Sequence, residues 1–555
     1  MKESTIVLLI ILMFNLNFAS TYYVSPTGDD GRDGSLGNPW ATPGWGTKEM
    51  SGGDTLIILS GDYVMELFWD DMLTPPSGSP GAPTVIIGQG DTKPRMLGTG
   101  SLFSCSAIGT NGCYITMKNL ELTSLIDTPY SGGCRGGIDA ATDIGELVHD
   151  LHFEDIEIHR VEDMAINIGG DGENITIKRC NIHHCAYTCI GGPGASGDGW
   201  VNILIDSCYL GYAGHFNHGI DTVDWEWDRP DGLGFEESEG PIIVRYTVAD
   251  HNMGDGLDSK SRRTYIHHCI VSNNYGDGIK LWGDSSFVSN TLIYGTGGGF
   301  TDSTPWCLLI MDTDDPNAYF EVINCTMWDS PERPPHYVGT IQHDEYTTPA
   351  TLTFQNNIIC GKRQLYIAPI VNLIAENNLF YISDTGYDIQ IYANDTEYTD
   401  ATIGDLGTGN IYGNPQFIDP QWAIDGDFHI EDTSPARDAG TTVSFTDDLD
   451  FFTRPYNGIY DIGCYEWHES TGVAEKYEKE TESIFFAFYS SSARSVVLHS
   501  STECRFKIFD IAGKICASGD MFREKSIAFN GKNGLYLVLF QSRTQRSCSK
   551  ILILK

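Results

Sequence analysis

Three short segments share one pattern: HGID at 218–221, DGLD at 255–258 and DGIK at 277–280. Each runs through a polar residue, a glycine and one aliphatic residue to a charged one. Asp258 and Lys280 are 22 residues apart, about one coil of a parallel β-solenoid. Side chains alternate between the faces of a strand, so inward Ile220, Leu257 and Ile279 put Asp221, Asp258 and Lys280 outward in one column, on rungs roughly 4.8 Å apart. Two carboxylates and an amine in such a column form a candidate site, with Asp255 at its edge. The bland alternatives are turn-capping aspartates and a solvated surface lysine. Trp225, Trp227, Tyr275 and Trp282 are placed to stack on a ligand beside the column or to pack a loop. Arg262 and Arg263 are placed to bind a carboxylate, and Lys260 is a second candidate base. His218 and His251 read as turn residues.

The elements that must position these residues are short aliphatic strands that return from about residue 85 to 380. CYITMKNLEL, LHFEDIEIHR, NITIKRCNIHH, NILIDSCYL, TYIHHCIVSNN, YFEVINCTMW and LTFQNNIIC are examples. Glycine and asparagine punctuate them, and 61 of 555 residues are glycine, above the usual share of about 7%. No long 3.6-residue periodicity argues for helices. The expected fold is all-β: a right-handed parallel β-helix over residues 21–468, burying aliphatic ladders and pairing backbone rung to rung. Cys180, Cys208, Cys269 and Cys325 recur in similar contexts, IKRC, IDSC, IHHC and VINC, as a ladder of small buried side chains would. The same packing accounts for Cys180, Cys185 and Cys189 beside His183 and His184, where zinc is the alternative. Asp221 to Asp258 spans 37 residues, so an insertion rich in acids and carrying Trp225 and Trp227 is expected to bulge beside the column.

Residues 1–20 combine a lysine, an apolar run and small residues, the pattern of a secretory signal peptide. A secreted or cell-surface location follows, with no membrane span in the mature chain. The formal net charge is −41. Residues 469–555 hold 13 Lys+Arg against 9 Asp+Glu, and the body before them carries −45. That break marks a separate module. The acidic body argues against a nucleic-acid partner and would repel a polyanion unless cations intervene. A polar linker at 469–482 and alternating strands at 483–555 are expected to end the chain in a small β-sandwich.

GDGLD and GDGIKLWG resemble polysaccharide lyase family 9, pectate lyases with a β-helix fold. The resemblance implies cleavage of a uronic-acid polysaccharide by β-elimination, with Asp221, Asp255 and Asp258 holding Ca2+ and Lys280 as the base. Gly254 stands where the family usually has another aspartate. The residue types suit that reaction. Calcium takes six to eight oxygen ligands, offsets the repulsion between an acidic protein and an acidic polymer, and steadies the charge that develops at the substrate. Lysine must be neutral to act: a neighbouring aspartate raises its pKa and a neighbouring cation lowers it. Two other readings stay open. One is a glycoside hydrolase using Asp221, Asp255, Asp258 or Asp277 as its carboxylates; the other is a non-catalytic carbohydrate-binding protein. DIAGK, GLYLVLF and the terminal KILILK resemble the type A sorting domain of type IX secretion, which implies that secretion machinery as a partner.

Overall fold

The computed structural model describes residues 19–66, 68–99, 108–110, 112–125, 133–140, 147–194, 198–218, 229–296, 307–330, 336–343, 348–382, 387–421 and 426–469, and a C-terminal sheet at 485–490, 495–510, 515–528, 534–541 and 546–553. Residues 1–18 of the expected signal peptide (1–20) and 470–482 of the expected linker (469–482) lie outside these residues. The chain divides into two compact units, 1–467 and 468–555.

The first unit is a parallel β-helix. Among the described residues, three long sheets hold 13, 13 and 12 strands, and their pairs are parallel except for the hairpin of Ile389–Ala393 with Thr396–Thr399. One coil passes through all three: Thr264–His267 lies in the first sheet, Ile270–Ser272 in the second and Ile279–Leu281 in the third. Each interior strand pairs with its equivalents one coil before and one coil after, as Leu257, Ile279 and Leu309 do in the third sheet. Strand alternation sends Ile242, Val244, Ile266 and Val288 inward, where all are essentially buried. Each such side chain contributes about 1.5–3 kcal/mol by leaving water.

A two-residue turn joins the first sheet to the second, and its sequence explains the asparagines and cysteines. Its first residue is left-handed: Asn119, Asp155, His268, Asn290, Asn324, Asn356 and Asn377 have φ between 43° and 57°. Asparagine tolerates that region better than most residues. The second residue points inward. Cys180, Cys208, Cys269 and Cys325 all take this place, each within 3% of full burial, and Cys269 Sγ lies 3.5 Å from the Val244 carbonyl one coil back. At the later rungs asparagine replaces cysteine, and Asn357, Asn378 and Asn410 bond amide to amide along the stack. The described cysteines of the first unit are all free thiols.

The coils end near Tyr412. Residues 417–421 and 426–467 do not continue them but run back along the turns just described. Asn377 and Asn356 donate to the carbonyls of Ala439 and Thr441, and Asn324 donates to those of Asp461 and Gly463. Arg454 donates to Asn290 at 2.8 Å and lies, fully buried, 3.2 Å from Glu466. The second unit contains one five-stranded antiparallel sheet.

Candidate active site

In the third sheet, Leu233–Ser238, Leu257–Ser261 and Ile279–Leu281 stack on successive rungs. Leu233, Leu257 and Ile279 are in register and buried. Asp258 and Lys280 are therefore outward partners on adjacent rungs. One rung earlier the same place belongs to Gly234, not to Asp221. Asp221, Trp225 and Trp227 lie outside the described residues.

Just before each strand is an aspartate–glycine turn, and here sequence reasoning missed a member. Asp231, Asp255 and Asp277 occupy equivalent positions. The Asp255 N–H donates to Asp231 Oδ1 at 2.6 Å, the Asp277 N–H to Asp255 Oδ1 at 2.7 Å, and the Cys307 N–H to Asp277 Oδ1 at 2.6 Å. The glycine of each turn is required by close approach: a Cβ on Gly256 would stand 2.7 Å from the Gly278 carbonyl oxygen. DGLG at 231–234 carries the same pattern as DGLD and DGIK, but it sits inside the stretch read as an insertion. Gly254 is explained by its surroundings, since a Cβ there would stand 2.3 Å from Asp231 Oδ1 and 2.4 Å from the Arg229 carbonyl oxygen.

Lys280 joins the two columns. Its Nζ lies 3.3 Å from Asp255 Oδ2 and 3.5 Å from Asp258 Oδ2, with the Trp282 ring centre at 5.3 Å. Burial alone would lower the Lys280 pKa, but Asp255, Asp258, Asp277 and Asp231 outweigh it and hold the ammonium above the ordinary lysine value. Burial lifts the Asp258 carboxyl to about 6, with Asp255 adding to the rise and Lys280 and Lys260 opposing it. Burial, then the charge of Asp255, pushes Asp231 and Asp277 well above the carboxylate range.

The donor set is one that calcium takes: carboxylates on neighbouring rungs, with Asp258 Oδ1 a buried acceptor lacking a hydrogen-bond partner. As the side chains stand, no three His, Cys, Asp or Glu residues among those described are grouped to hold an ion. The Lys280 ammonium stands between Asp255 and Asp258 instead.

The remaining candidates have other partners. Lys260 pairs with Glu236 at 2.6 Å. Arg262 pairs with Asp315 at 2.5 Å, and Arg263 donates to the backbone carbonyls of Glu239 and Gly240. Neither arginine joins the aspartate–lysine cluster through these contacts. His251 is a left-handed turn residue bonded to Asp250 at 2.7 Å.

Residues 106–296 match the family model described as the right handed beta helix region. None of the curated proteins compared matches the chain. Among solved structures, pectate lyase Pel9A is 12% identical over 82% of this chain and 98% of its own, with a TM-score of 0.43. A complex of XylC with xylose is 12% identical over 81% and 98%, with a TM-score of 0.49. The A-module of the Azotobacter vinelandii mannuronan C-5 epimerase AlgE4 is 12% identical over 65% and 89%, with a TM-score of 0.39. The family match and the three parallel sheets together make the first unit a right-handed parallel β-helix.

Proposed function

We propose that the chain is a secreted, calcium-dependent polysaccharide lyase that cleaves a uronic-acid polymer by β-elimination. The observation that carries this reading is the Lys280 amine held 3.3 and 3.5 Å from Asp255 and Asp258 on the outward face of the third sheet. Asp255 and Asp258, with Asp231 from the preceding rung, are the carboxylates that would hold calcium. A bound calcium would supply positive charge for the substrate carboxylate and for the electron pair left at C5. Lys280, once neutral, takes the C5 proton. The bond to the O4 substituent then breaks, the C4–C5 double bond forms and the O4 group leaves. Trp282, against the Lys280 side chain, helps to exclude water there. The second unit serves as the sorting module for type IX secretion in this reading.

The test is unsaturated-uronate absorbance on a panel of uronate polymers with and without calcium. Lys280→Ala should abolish product while calcium binding survives, and Asp258→Ala should weaken calcium binding with partial rescue by excess metal. Full activity of Lys280→Ala would remove Lys280 as the base. One observation favours a second reading: a buried carboxyl at about 6, as at Asp258, suits the general acid of a glycoside hydrolase. Calcium-independent release of reducing sugar without the unsaturated product would select it.

A further inference from the structure

The column that carries Asp258 and Lys280 does not end there. In register along the third sheet, Lys280 is followed by Ile310, Thr340, Tyr366 and Tyr392. Tyr366 stands three rungs from Lys280, about 14 Å along the axis at the spacing of parallel strands. A rung is comparable in length to one sugar residue of an extended polysaccharide, so a polymer lying along this face would reach Tyr366 within a few residues of the bond next to Lys280.

The tyrosines at that distance form a group. The rings of Tyr366 and Tyr392 stack at 4.9 Å and 5°, Tyr337 lies 5.5 Å from Tyr366, and His343 meets Tyr366 edge-on at 4.9 Å. Tyr366 and Tyr392 alternate with buried Leu365, Ile367, Ile391 and Ala393, so both rings are on the outer face. Arg363, the register partner of Tyr337, lies 4.2 Å over the ring of Tyr387, whose hydroxyl bonds Gln364. Arg95, Arg179, Arg245 and Arg262 each hold a carboxylate. Arg363 forms no ion pair among the described residues, in a body whose charge is −45. Asp395, which accepts a hydrogen bond from the Tyr392 hydroxyl at 3.2 Å, and Glu397, across the hairpin from Tyr392, are the acids this group must tolerate, and Thr340, buried between the two sites, leaves the polymer to pass above it. Flat amphipathic rings, with a guanidinium three residues along the same strand that forms no ion pair among the described residues, are what a chain of acidic sugars needs: apolar faces to rest on and a fork for one carboxylate.

We propose that Tyr366, Tyr392 and Arg363 form a distal subsite for the acidic polysaccharide, in line with Lys280, so that longer chains are held better than short ones. This rests on the lyase reading for the polymer's position but not for its binding. The test compares kcat/KM for uronate octamers and trimers in the full chain, in Tyr366→Ala and in Arg363→Gln, with Tm measured for each. The octamer-to-trimer ratio should fall by about tenfold in both variants, the scale of one lost charge-assisted bond. An unchanged ratio in both overturns the subsite, and a lowered Tm with an unchanged ratio in Tyr366→Ala makes the tyrosines a structural ladder only. If the parent shows no elimination, retardation in gels containing polygalacturonate or alginate is the readout. Weaker retardation of Arg363→Gln then supports the subsite although the lyase reading has failed; equal retardation, or none by the parent, overturns it.

Discussion

Asp258 is the residue on which charge and burial conflict most openly. One of its oxygens is buried without a partner, and its carboxyl is lifted from 3.8 to about 6. A raised carboxyl has a definite consequence for stability. Between about pH 4 and 6 the folded chain binds a proton that the unfolded chain has lost, so this group's contribution is fully present below the unfolded pKa and is lost as pH rises through 6. A rise of that size corresponds to about 3 kcal/mol, an upper bound because Lys280 shares the interaction. Asp258→Asn should therefore flatten the fall in stability between pH 4 and 7, read as urea midpoints at the two values. An equal fall in parent and variant would show that Asp258 ionises as freely as an exposed aspartate.

At the scale of the element, the aspartate–glycine turn separates structural from chemical carboxylates. Asp277 accepts the Cys307 N–H, and burial pushes its carboxyl well above the carboxylate range. Asp277→Asn keeps that acceptor and should leave urea stability near the parent's, whereas Asp277→Ala should cost about 1–3 kcal/mol by orphaning the N–H. Gly256→Ala should cost about 1–3 kcal/mol through overpacking, since its Cβ would also stand 2.5 Å from Val271. A tolerated alanine there would mean that the turn opens without loss. The same element shows what sequence reveals. Alternation placed Leu257 and Ile279 inward and Asp258 beside Lys280, because strand geometry is local and periodic. Recurrence also placed the cysteines at one turn. Asp231 was missed because the long interval from Asp221 hid where the coil resumes, and the partners of Arg262 and Arg263 come from loops that no periodicity describes.

For the whole molecule, the decisive long-range feature is the return of residues 426–467 along the coils. Nothing in its local pattern says that Arg454 will meet Asn290, 164 residues away, or that Cys464 will donate its N–H to Thr326. That return sets where the first unit can be cut. The unit boundary falls between Trp467 and His468, so a chain ending at Trp467 keeps the buried Arg454–Glu466 pair and every contact just named. It should unfold at the parent's Tm and retain the parent's activity while failing to be sorted. A chain ending before Arg454 loses that pair, takes the Arg454 donor from Asn290 Oδ1 and takes the Asp461 and Gly463 acceptors from Asn324. Removing buried polar partners in this way costs several kcal/mol, so this chain should melt well below the parent or fail to fold. Thermal unfolding of the two truncations decides the matter. A destabilised chain ending at Trp467 would make the second unit part of the scaffold, and a fully stable chain ending before Arg454 would make the return segment dispensable.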